Sequence, residues 1–190
     1  MNFIHKCALS GAAAVAVLGM GTVAASAAPA SSHTTHQVPA ATKTTKLAFS
    51  AHYTGHLTML ISGSTITVKA AAGTGTATNL GTAGKSTISG SGLSSAQSTC
   101  DAMSGTGLLS GGGSSLSLKI ASGSQGCAVG SATPTKVNVT GSAVVTSGKG
   151  KYLGATGTLK FSGSFTLTTT TGSTSPSYAA ALSGTLTVKS

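Results

Sequence analysis

The stretch "TLKFSGSFTLT", residues 158–168, alternates apolar and polar residues and carries a glycine in the middle of its apolar row. In an extended chain Leu159, Phe161, Gly163, Phe165 and Leu167 fall on one side, and Lys160, Ser162, Ser164 and Thr166 on the other. A period of two is the pattern of a half-buried strand, with one face in a core and the other in water. The same text recurs. "KVNVTGSAVV" aligns Val137, Val139, Gly141, Ala143 and Val145, and "AALSGTLTV" aligns Ala180, Leu182, Gly184, Leu186 and Val188. "FSAHYTGHLTMLI" does so from Phe49 to Ile61 through Tyr53 and Gly55, and "MSGTGLL" aligns Met103, Gly105, Gly107 and Leu109. Residues 64–71, 85–94 and 114–121 read as further strands, and no segment after the N-terminal region has the period of a helix.

Glycine on the apolar face weakens an isolated strand, so its recurrence calls for a structural reason. Glycine lets a strand bend sharply enough for a sheet to close on itself. It also leaves room on the axis of a narrow barrel, where bulky side chains from every strand cannot all meet. Both reasons predict an all-β domain: a small antiparallel β-barrel of about eight strands, with a two-sheet β-sandwich as the alternative. The strand texts follow no fixed residue period, which argues against a solenoid.

The first residues read as an address, not as fold. "MNFIHKC" carries Lys6, an uncharged apolar run follows, and "ASA" at residues 25–27 supplies the small residues of a cleavage site. This is the layout of a secretory signal peptide cut after Ala27, so the chain is expected to be secreted. Residues 28–45, rich in Pro, Ala, Ser and Thr, read as a flexible spacer, leaving 46–190 as the barrel domain. About 160 residues remain after cleavage, enough for one domain with a real core.

The charges are lopsided: Lys and Arg together number 11, all of them Lys, against one acid, Asp101, for a net charge of +10. Such a chain is drawn to polyanions at low salt. Nucleic acid is a poor partner, because there is no Arg for bidentate contacts and only 4% of residues are aromatic. Anionic cell-envelope polymers fit an exported, Lys-only protein better. Lys69, Lys119, Lys149, Lys151 and Lys160, on the expected outer faces, are the candidate contacts.

Templates for catalysis mostly fail. "GTAGKST" (81–87) ends like a phosphate-binding loop, but the position of its first glycine is Asn79 and no helix is expected after it, so it reads as a turn leading into a strand. Glycoside hydrolysis normally uses two carboxylates, and the chain has one. No serine has glycine at both −2 and +2, as a nucleophile elbow requires. His52 and His56 sit four residues apart on one strand, about 13 Å, too far to share an ion. His33 and His36 fall in the spacer with no carboxylate or thiol beside them. Asp101 reads as a turn residue. No catalytic residue, metal or cofactor is expected.

Cys100 and Cys127 are the thiols left after processing, and they stand nearly equidistant from "GGG" at 111–113. The intervening text reads as a hairpin, so a disulfide across its open end is expected in an oxidising compartment.

The text "SGKGKYLGATGTLKFSG" (147–163), with glycines at 148, 150, 154 and 157 ahead of an alternating strand, resembles the glycine-rich turn of the allene oxide cyclase and dirigent barrel superfamily. It is also similar to secreted proteins of actinomycete type that carry this turn. The resemblance implies an eight-stranded antiparallel barrel with an apolar lumen. Members of that superfamily guide reactive intermediates with polar and charged groups inside the barrel, and none of those groups is matched here.

Two roles follow as expectations. The first is a secreted, non-enzymatic module whose basic surface binds the envelope or serves a structural role outside the cell. The alternative is an apolar small-molecule binder, or a cyclase- or isomerase-like protein, using a lumen lined by Tyr53, Leu159, Phe161 and Phe165. A cavity above about 300 Å³ would favour the second.

Overall fold

The computed structural model describes residues 43–78, 80–95, 99–130 and 133–189. The expected signal peptide to Ala27, His33, His36 and the expected spacer up to residue 42 lie outside the described residues.

Ten strands follow one another: β1 (Thr44–Ser62), β2 (Thr65–Ala77), β3 (Leu80–Ser95), β4 (Cys100–Gly111), β5 (Ser114–Ile120), β6 (Gln125–Val129), β7 (Thr135–Lys149), β8 (Thr156–Leu167), β9 (Gly172–Thr174) and β10 (Ser177–Lys189). The helical element among the described residues is a single 3₁₀ turn, Gly150–Tyr152. β1 already starts at Thr44, inside the stretch read as spacer, because Thr44 and Thr45 pair with Lys189 and Val188 of β10.

Eight of the strands form a closed ring in the order β1, β2, β3, β4, β5, β7, β8, β10, and the antiparallel pairing of β10 with β1 joins its ends. Two separate layers would leave that pairing unmade, so the sandwich alternative falls. The ring is strongly sheared. Residues paired across neighbouring strands lead from Leu109 through Ile88, Gly73, Gly55, Tyr178, Phe165 and Val137 to Ala128. The Ala128 N–H then donates to the carbonyl of Thr99, which directly precedes β4 and lies ten residues before Leu109. Such a stagger tilts the strands and closes the sheet around a narrow interior.

Several inward glycines stand where paired strands come close together. Gly55 stands opposite Gly73, Gly90 opposite Gly107 and Gly92 opposite Gly105. A Cβ on Gly55 would run into the Ala72 carbonyl and the Gly73 Cα of the neighbouring strand. The backbones approach there as no side chain would permit. At Gly163 and Gly184 a Cβ would likewise meet a backbone carbonyl of the paired strand, Ala179 at 2.6 Å and Thr158 at 2.7 Å, and the side chains of Val139 and Leu159 lie close by at 3.2 Å and 3.0 Å.

Two ring positions are shared between strands. β5 stops at Ile120, and β6 takes over its place between β4 and β7. The junction is fixed by buried Ser124, whose hydroxyl accepts the Ser142 N–H at 3.1 Å and donates to the Ser142 carbonyl at 3.2 Å. Likewise β10 pairs with β1 as far as His56, and β9 pairs with Met59–Ile61 beyond it. "GTAGKST" is part of β3 and not a turn; the pairing with β2 jumps from Thr76–Lys85 to Ala77–Leu80, so the irregularity is absorbed within the ladder.

Candidate functional site

The interior of the ring is packed at one end and hollow at the other. Phe49, Leu109, Leu116, Val145, Leu159 and Leu186 meet in the packed end. The glycine-rich turn after β7 closes it. Gly150 takes a φ of +63°, and Tyr152 is carried fully inside. Its ring meets Phe49 edge-on with centroids 6.1 Å apart, and its hydroxyl donates to the Thr78 carbonyl at 2.8 Å. Burial, aided by the Tyr53 phenol nearby, pushes the Tyr152 pKa from the ordinary 10.0 up to about 12.

At the other end lies a cavity of about 410 Å³. Its wall is apolar, with Leu57, Met59, Val68, Met103, Val137 and Phe165 among the residues that line it. The strands that build it are those whose inward positions hold glycine or alanine at this level, including Gly107, Gly126, Ala128 and Ala180. Small side chains on several neighbouring strands leave a space that the large ones do not reach. The Cβ of an alanine at 107 would find only the Ser89 carbonyl, at 3.5 Å, and the Leu118 Cβ, at 4.0 Å.

Of the four expected lumen residues, Phe161 and Phe165 line this cavity. Tyr53 and Leu159 do not. Both are buried in the packed end, at 2% and 0% exposure, because the sheared strands carry them past the border between filled and empty space. The expected set is therefore split between the two ends.

Asp101 is not a turn residue. It lies in β4 opposite Gly126, on the inward row that continues through Met103, Gly105, Gly107 and Leu109. It is half-buried and lines the cavity, whereas Cys100 and Ala102 on either side of it are exposed. Nothing in the sequence marks it as inward, because the alternating text begins at Met103. Tyr178 also lines the cavity, lying across the inner wall so that its hydroxyl sits over Gly73. That hydroxyl is buried without a hydrogen-bond partner, and burial, with Tyr53 nearby, raises its pKa above the usual tyrosine value.

Cys100 and Cys127 are directly opposite each other and disulfide-bonded, with Cα atoms 4.0 Å apart. The partner strand is β6 and not the returning arm of the hairpin. The disulfide therefore fastens the short wall segment that β6 contributes to the hollow end.

The five candidate lysines are all exposed, and the ring does not gather them. Lys69 is on β2, Lys119 on β5 and Lys160 on β8, with at least one strand between any two; Lys149 and Lys151 flank the start of the 3₁₀ turn. His52 and His56 are exposed, the latter with its Nδ1 3.4 Å from the Ser177 hydroxyl. Among the described residues no three His, Cys, Asp or Glu side chains come together as a metal site, and no helix is long and apolar enough to cross a membrane. Comparison with protein-family models, with curated proteins and with solved structures returns no match.

Proposed function

We propose that the chain is an exported carrier or receptor that takes up a small apolar molecule in the hollow end of the ring. The observation that carries this reading is the 410 Å³ cavity with its apolar wall, in the size range of small-ligand sites. An apolar wall of this extent presents apolar surface that an apolar occupant would remove from water. The likeness of residues 147–163 to the allene oxide cyclase and dirigent superfamily supports the same use of a lumen. The reading is of binding and not of turnover.

Titration with N-phenyl-1-naphthylamine, a neutral apolar dye, tests it. Saturable fluorescence enhancement at one site per chain is expected, and Gly107→Leu, which pushes a side chain into the cavity, is expected to weaken it at least about tenfold. Absence of saturable binding, or equal binding by the variant, would overturn the proposal.

A second reading is favoured by the charge layout. The described lysines face outward, spread over several strands, while the single acidic side chain faces inward, so the outer wall carries net positive charge, which suits anionic envelope polymers. Co-sedimentation with a wall polymer should fall steeply as salt rises; retention at high salt would count against it.

A further inference from the structure

The chain's one carboxylate stands at the cavity. Asp101 is the outermost residue of β4's inward row, and the residue directly opposite it, Gly126, has no side chain to cover it. A Cβ at 126 would meet only Val137 and Val139, each at 3.6 Å, so the wall on the Gly126 side of Asp101 is apolar. Among the described residues no lysine or histidine lines the cavity, and its titratable side chains there are Asp101 and Tyr178. The described lysines are exposed on the outer wall, and the single acidic side chain faces the cavity.

We infer that Asp101 selects the ligand: the cavity takes an apolar molecule that carries a cationic group, a protonated amine, with the apolar part among Met59, Met103 and Phe165 and the ammonium at Asp101. The inference rests on the proposed binding role and deepens it. A half-buried carboxylate beside an apolar wall keeps its charge at a cost, and a cation brought against it offsets that cost. It accepts up to about four hydrogen bonds, so whatever bonds it makes in the empty protein leave capacity for another. Charge-assisted bonds of this kind are about twice as strong as neutral ones. In ligand pockets a few such polar groups on an apolar wall fix orientation and specificity. The outer lysines work in the opposite sense, since they repel a cation at long range and attract an anion. A preference for the amine would therefore have to come from inside.

Calorimetric titration of the full chain with octylammonium, 1-octanol and octanoate separates the possibilities, because the three share one apolar tail. Octylammonium is expected to bind about ten- to a hundredfold more tightly than 1-octanol, the range for one hydrogen bond to a charged group, and octanoate more weakly than either. Asp101→Asn should keep the 1-octanol affinity, which also reports that it is folded, and lose most of the preference for the amine; Asp101→Glu should retain it. Binding of all three with similar affinity, tighter binding of octanoate, or an unchanged preference in Asp101→Asn would overturn the inference and leave apolar binding standing. Failure of all three to bind would overturn the binding role itself, and the inference with it.

Discussion

If inward glycines let the sheet curl, replacing them by alanine should divide them by position. Gly55 and Gly107 make the sharpest pair. Both lie mid-strand on the inner face, opposite another glycine. At Gly55 the new Cβ meets the Ala72 carbonyl, the Gly73 Cα and, at 2.8 Å, the Ala72 carbonyl carbon. Those are backbone atoms of a paired strand and cannot rotate aside. The strands must separate, at a cost of about 1–3 kcal/mol or more. At Gly107 the Cβ has contacts of 3.5 Å and 4.0 Å, both ordinary, and no strained φ. There the restriction of the unfolded chain dominates and contributes about 0.4–1 kcal/mol in favour of the fold. The two variants should therefore differ by about 1.4–4 kcal/mol, with Gly107→Ala above the parent and Gly55→Ala below it. For a domain of this size that is about 3–16 °C in melting temperature. Urea unfolding with the disulfide intact reads the difference directly, and similar slopes for the two would show that compactness is unchanged. If Gly55→Ala matches Gly107→Ala, close approach of the strands does not depend on glycine and the account of ring closure fails.

Reducing the Cys100–Cys127 bond opens a loop of 27 residues and should cost about 3–4 kcal/mol on the chain-entropy model, read as a fall in the urea midpoint with reductant present; an unchanged midpoint refutes it. Tyr152→Phe removes the hydroxyl that donates to the Thr78 carbonyl and should cost about 1–2 kcal/mol by the same assay, whereas a neutral effect would mean that this bond does not secure the closed end. The Tyr152 pKa is raised in the fold, so its contribution is intact below pH 10, where the unfolded chain also keeps the phenol neutral, and is lost as pH climbs through about 12. Stability should accordingly decline between pH 10 and 12, less so in Tyr152→Phe, with phenolate absorbance at 295 nm reporting the titration; equal decline in the two proteins would exclude Tyr152 as a cause.

Alternation showed which residues face inward, because a strand has only two faces and Leu159, Phe161, Val137, Leu182 and Met103 could fall on one only. Closure was also legible, since glycine recurring on the buried face has few other uses. Height along the axis was not. Leu159 and Phe161 are neighbours on the same face of β8, yet the first is sealed at 0% exposure in the packed end and the second lines the cavity. What separates them is the stagger of ten residues around the ring, which depends on the pairing of every strand with the next and on bulges such as the one between Ser117 and Leu118. Register of that kind is a property of strand pairs, and no single strand's text contains it. Asp101 was missed for a related reason: its row is apolar from Met103 onward, and a charged residue at the head of such a row reads as the turn before it. Only the pairing with Gly126 on β6, a five-residue strand too short to show alternation, places that carboxylate against the cavity. The features that give the hollow end its character, a short strand that completes the wall and a charge at its rim, are thus the ones created by long-range pairing.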